Sequence, residues 1–286
     1  MEKERHFWRE YTNQVKRNKL TFAVYIILRA LVVMAMVISC IRGDYENLFI
    51  CGLSLILFLI PAFVEKNFGI ELPCLLEIII LLFIFAAEIL GEMESYYTKV
   101  PNWDTMLHTI NGFICAAVGF GMIDILNRNE KIKFELSPVF LAIVAFCFSM
   151  TIGVLWEFFE FFCDAFFQTD MQKDFIVNSI STTLLSGNTK APQIINGIKS
   201  VAVNGQDLGI NGYLDIGLYD TMKDLFVNFI GAVVFSVIGY FYVRSRGKGR
   251  FVRHFIPQMT GGNKSGASDD EHIQNLKTER NEKHEE

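Results

Sequence analysis

Residues 139–162 read VFLAIVAFCFSMTIGVLWEFFEFF, and how this stretch is read decides the fold. No charged residue occurs from Val139 to Trp156. At about 1.5 Å per residue a helix of that length crosses most of a hydrocarbon core roughly 30 Å thick. The apolar residues run without alternation, which suits a lipid-embedded helix and not a barrel strand. An open sheet would leave backbone donors unpaired in lipid. Two acids, Glu157 and Glu160, then arrive while the apolar run is still continuing.

Working outward, five further stretches have the same character: Leu20 to Cys40, Asn47 to Val64, Leu72 to Leu90, Met106 to Leu126 and Thr221 to Val243. The chain as a whole is 51% hydrophobic with a mean hydropathy of +0.32. The expected fold is therefore an all-α membrane protein with six transmembrane helices and a membrane domain over 20–243. A cleaved signal peptide is not expected, because about twenty charged and aromatic residues precede the first apolar run. The six cysteines, Cys40, Cys51, Cys74, Cys115, Cys147 and Cys163, all fall in apolar segments and read as small buried hydrophobes.

Lys and Arg near the span ends set the orientation. One side collects Lys3, Arg5, Arg9, Lys16, Arg17, Lys19, Lys66, Arg128, Lys131, Lys133 and the basic residues from Arg244 to Arg253, against Arg42 and Lys99 in the opposite short loops. Both chain ends are thus expected in the cytoplasm, with 168–217 outside. Residues 1–19 are basic, with Phe7, Trp8 and Tyr11 interleaved, which suits either a helix on anionic headgroups or a topology signal. Residues 244–286 are expected to form a cytoplasmic, largely disordered tail, polar and charged beyond Gly261. The outer segment carries Asn196-Gly197, Asn204-Gly205 and Asn211-Gly212, a hairpin signal that predicts a small β-meander packed on the helix ends.

Ionisable groups inside membrane helices cost at least about 2.5 to 3.5 kcal/mol each at mid-depth, so their placement is informative. Asp104, His108 and Asn111 share one stripe of span four, Glu157, Glu160 and Asp164 mark span five, Asp220, Asp224 and Asn228 recur every four residues in span six, and Glu88 and Glu92 end span three. All fall within about three turns of the outer boundary. Eight carboxylates would face one lysine, Lys223, and one histidine, a set that cannot stay both ionised and dry. Protons, cations or bulk water must compensate it.

Carboxylates, an imidazole and amides on facing helices suit a divalent metal ion, among Mg, Mn, Fe and Zn. The expected ligands are Asp104, His108, Glu157, Glu160 and Asp224. Glu157, Glu160 and Asp220 are the candidate catalytic acids and bases, with Asn111, Asn228, Asp164, Glu88 and Lys223 in support. For Glu88, Glu92 and Asp164 a solvated helix end is an equal alternative, and Asp104–His108 can also be a structural pair. Trp103 and Trp156 read as interfacial belt residues. Arg29, midway along span one, has Glu77 as its expected ionic partner.

The segments Trp103-Asp104 through His108 with Gly112, Trp156-Glu157 with Glu160, Thr169 to Gln172, and Gly217 to Asp224 with Asn228 and Gly231 resemble the YjdF-like family of bacterial inner-membrane proteins. The resemblance covers roughly spans three to six and implies a multi-pass protein of the bacterial cytoplasmic membrane. More loosely, the plan of polar residues is similar to that of VanZ-like membrane proteins. Three functions fit these residues: a metal-dependent enzyme acting on a lipid or lipid-linked substrate, a cation or proton-coupled transporter, and a non-catalytic scaffold or sensor. The bilayer is the expected partner, and nucleic acid is not.

Overall fold

A computed structural model of the protein describes residues 19–68, 70–127, 136–187, 190–245, 255 and 258–259. The basic segment 1–18 and nearly all of the tail lie outside the described residues. Among those described, six helices are long and apolar enough to cross a membrane: Lys19–Arg42, Tyr45–Asn67, Cys74–Met93, Trp103–Asp124, Pro138–Phe167 and Leu218–Arg244. They are spans one to six below, and they fall where the apolar runs predict them.

Local chemistry sets the breaks. Span two starts at Asp44, whose carboxylate accepts the Asn47 backbone N–H at 3.1 Å. It is interrupted between Leu57 and Ile60, four residues before and one residue before Pro61, a ring that cannot donate to the preceding turn. Span five starts at Ser137, whose hydroxyl accepts from the Phe140 N–H, with Pro138 in the first turn. Span three departs from its expected winding: Cys74–Phe85 is α-helical, but Ala86–Met93 is a π-helix. Glu88 and Glu92 lie on that segment, so they are not stacked one α-turn apart as their spacing suggests.

Two sub-bundles result. Spans four, five and six pack most closely on one another, while spans one, two and three form a second group joined to the first by span three against span four. Close approach in the first group is set by glycine. A Cβ on Gly112 would come within 2.1 Å of the Asn228 carbonyl oxygen, and one on Gly231 within 2.0 Å of that of Thr109, so spans four and six touch backbone to backbone. Phe120, Phe235, Leu76, Leu81 and Leu141 fill the apolar core. Phe158, Phe161, Phe226 and Met34 are exposed on the outer faces, where a bilayer would cover them. Cys51 and Cys163 are buried as expected of small hydrophobes, but Cys40, Cys74 and Cys147 are exposed on the same kind of face.

The long connection between spans five and six holds antiparallel strands, but not as a meander. β2 (Phe175–Val177) pairs with β7 (Tyr213–Asp215), β3 (Ser179–Thr182) with β4 (Gln193–Asn196), and β5 (Ala202–Val203) with β6 (Gln206–Asp207). Only Asn204-Gly205, at φ 53° and 82°, forms a two-residue hairpin turn. Gly197 has positive φ but follows a strand end, and Gly212 does not have it. The segment sits at one end of the membrane helices, called the hairpin end here. At the other end β1 (Ile70–Glu71) pairs with β8 (Gln258–Met259), and the buried Phe255 stacks edge-on against Phe113 at 5.5 Å. The described part of the tail is thus docked.

Candidate functional site

Asp104 stands in the first turn of span four and His108 one turn deeper, with the His108 Nε2 3.4 Å from the Asp104 Oδ1. Span six, held against span four by Gly231, brings the Asp224 Oδ2 to 3.8 Å from the same nitrogen. The other ring nitrogen, Nδ1, faces the Glu157 Oε1 of span five at 3.8 Å. Lys223 closes the group: its ammonium lies 2.7 Å from Asp104, 3.6 Å from Asp224 and 3.7 Å from Asp220. Asp224 is 1% exposed and Glu157 4%, whereas the Lys223 side chain is 37% exposed, so the lysine marks the mouth.

Positive charge inside the group is insufficient. Asp104, Asp220, Asp224 and Glu157 face one ammonium and one imidazole. Among the described residues, two of their buried oxygens, the Glu157 Oε2 and the Asp224 Oδ1, have no hydrogen-bond partner. Ligand atoms of Asp104, His108 and Asp224 lie within 4.8 Å of one another, a set that could hold a metal ion. Oxygen and nitrogen ligands bonded at about 2.0 to 2.2 Å stand a little over 3 Å apart, so modest side-chain rotation would close the set. The ring orientation also fits. A ligating imidazole commonly presents its second nitrogen to a carboxylate, as Nδ1 does here to Glu157.

The remaining expected site residues divide. Asp220 belongs to the rim, where its Oδ2 accepts the Lys173 backbone N–H at 2.8 Å. Glu160 is buried and accepts from the Trp156 indole N–H at 2.7 Å. Trp156, half-buried, is thus a hydrogen-bond partner of Glu160. The Trp103 indole nitrogen is buried, with no hydrogen-bond partner among the described residues. Asn111 donates to the Asn228 Oδ1 at 3.1 Å beneath the histidine group, where both amides join spans four and six. Asp164 takes no part in the group: it accepts from Thr169 Oγ1, Met171 N and Gln172 N at 2.7 to 2.8 Å, fixing the chain as it leaves span five. Glu88 and Glu92 sit apart, against span two, with Lys173 3.2 Å from Glu92. Arg29 and Glu77 form no ion pair with each other; the Arg29 guanidinium lies 4.5 Å from the centroid of the Tyr25 ring, its Nε buried without a hydrogen-bond partner among the described residues.

Three residues escape a reading based on apolar runs. Gln172 donates to the Thr221 hydroxyl, Lys173 bridges Glu92 and Asp220, and Tyr97 lies between the two acidic groups with its ring against Gly91. Burial pushes the Tyr97 phenol well above its ordinary value, and Glu88, Glu92, Asp104 and Glu160 push the same way, so it remains a neutral donor. All three stand outside the membrane helices, Tyr97 between spans three and four and the other two just after span five, where no periodicity signals them. A further acid, Asp124, is buried toward the opposite end of span four.

The family described as "Predicted membrane protein (DUF2238)" matches residues 24–245, which contain spans two to six, span one from Val24 onward, and every residue of the site. An uncharacterised protein of Thermotoga maritima is 27% identical over 104 residues, 36% of this chain. The matched region spans about half, 52%, of that relative's length. No solved structure matches the chain. The family match is consistent with the resemblance of spans three to six to YjdF-like proteins. Its extent settles membership: the chain belongs to the DUF2238 family of membrane proteins.

Proposed function

We propose that the protein holds a divalent cation on Asp104, His108 and Asp224 and acts, at one face of the bilayer, on a lipid headgroup or lipid-linked substrate. The observation that carries the reading is the buried histidine flanked by Asp104, Asp224 and Glu157, with two carboxylate oxygens left without partners. When bound, such a cation supplies Lewis-acid polarisation of a substrate oxygen. Glu157, beside the histidine, is placed to take or give a proton. Lys223 at the mouth offers a positive charge to an anionic headgroup. Trp156 and the Lys173 N–H hold Glu160 and Asp220 in position.

Depth favours an enzyme over a transporter. Asp104 and Asp220 occupy first turns, and Asp224 lies six residues, about 9 Å, into its helix. Spans four, five and six are also unbroken, whereas transporter sites are commonly built from interrupted helices near the midplane. The distribution of Lys and Arg supports cytoplasmic ends in a bacterial inner membrane, with the site on the extracytoplasmic side.

Elemental analysis of protein purified in detergent tests the cation. Wild type should carry a divalent metal, and His108→Ala and Asp224→Asn should each lose about one equivalent of it while keeping their helical circular dichroism. A folded, metal-free wild type that takes up no Mg, Mn, Fe or Zn ends the proposal. Lipid mass spectrometry of a deletion strain then reads the substrate class, and cation flux into proteoliposomes without any lipid change would establish transport instead.

A further inference from the structure

A second group of acids stands at the hairpin end, away from the histidine. Glu46, Glu88, Glu92 and Asp170 line one cavity together with Phe49, Ile50 and Leu53 of span two and the turn from Thr169 to Met171. Glu46 and Asp170 are exposed at its rim, Glu92 is half-buried, and Glu88 is 2% exposed. The cavity measures about 20 Å³, room for one water-sized guest. Lys173 is the cation adjoining it, paired with Glu92 at 3.2 Å and donating also to the Asp170 carbonyl. The Glu88 Oε2 is buried and has no hydrogen-bond partner among the described residues. A carboxylate oxygen in that state costs several kcal/mol unless a proton or an ion meets it.

We infer that this cavity is a second cation site, separate from the histidine group and built from oxygen alone, with Glu88 and Glu92 as inner ligands and Glu46 and Asp170 at the entrance. Among the described residues no imidazole or thiol lines it, so the donor chemistry selects a hard divalent ion of the calcium or magnesium class. The site joins three parts of the chain: the start of span two, the π-helical end of span three, and the turn after span five. That turn continues into Lys173, whose backbone N–H holds Asp220. An ion here would therefore fix the turn that positions the rim of the histidine group. The inference does not depend on what the histidine group does.

Full-length protein carrying His108→Ala, which removes the central ligand of the first group, isolates the second. Calcium, magnesium and manganese are titrated singly, with thermal melting and manganese electron paramagnetic resonance as readouts. The expected result is that at least one of these ions raises the melting temperature of wild type and of His108→Ala alike. Adding Glu88→Gln should weaken binding at least about tenfold, the scale on which even outer partners of metal ligands act. Where Glu88→Gln does not fold, Asp170→Asn at the exposed rim serves, with a smaller loss in the same direction. No ion response in wild type, or a response unchanged in Glu88→Gln and Asp170→Asn, overturns the inference. A response lost only with His108→Ala also overturns it, while leaving the first site standing.

Discussion

At the hairpin end, three aspartates surround the Lys223 ammonium at 2.7 to 3.7 Å, whereas Glu88, on the neighbouring span, has a buried oxygen with no hydrogen-bond partner among the described residues. Both groups consist of acids from separate helices gathered at the same level. They differ in how they were gathered. Asp104 and Asp224 come from helices that touch through Gly112 and Gly231, so their side chains converge on a counter-charge supplied by the chain itself. Glu88 and Glu92 come from a π-helical end packed on span two, and Lys173 reaches only the outer of the two. Each group leaves buried oxygens without a hydrogen-bond partner among the described residues, the Glu157 Oε2 and Asp224 Oδ1 in the first and the Glu88 Oε2 in the second, but only the first has a lysine at its centre. Desolvation of a carboxylate is the same penalty in both places; the supply of positive charge differs.

Four substitutions would break or sharpen that contrast. The largest effect is expected for Gly231→Leu, which drives a side chain into the Thr109 carbonyl and should cost more than about 3 kcal/mol in a detergent unfolding assay. A variant that melts like wild type would show that backbone contact is not what gathers the first group. Lys223→Met comes next. Loss of one partner of a fully buried ion pair typically costs 3 to 5 kcal/mol; with Lys223 37% exposed, about 2 kcal/mol is expected, and added manganese should recover part of it. Thermal melts with and without the ion check both statements. For Asp164→Asn, removal of the charge that three donors share should open the turn 169–172 by about 1.5 kcal/mol, read as faster amide exchange of Met171 and Gln172 with no change at His108. Asn228→Ala should be mildest, about 1 kcal/mol of unfolding free energy, because amide pairs between membrane helices contribute little on average.

The sequence carried some of this contrast and hid the rest. Uncharged runs such as Val139 to Trp156 are long enough to announce a span, since nothing but a helix satisfies its backbone in lipid. The stripe of Asp220, Asp224 and Asn228 was legible for the same reason: a four-residue repeat survives in a regular helix, and all three are buried. Glu88 and Glu92 show the same spacing, but the π-helix changes the angle per residue, so the pattern misleads about direction. Asp164 resembles Glu160 on paper, yet it stands near the end of its span and turns to the following backbone. The role of Trp156 was hidden because its indole N–H meets a carboxylate one turn away on the same helix, a choice that depends on burial and not on residue type.

The ladder of β2 with β7 places Val177 opposite Tyr213, so the polypeptide leaves and re-enters the helical scaffold through a single doorway. The described residues between 178 and 212 then pair among themselves, on a stem whose two strands already lie side by side. Such a segment can lengthen, shrink or be exchanged between relatives without moving a membrane helix. It is also a natural place to splice in a fluorescent or affinity module while the polar centres below remain undisturbed.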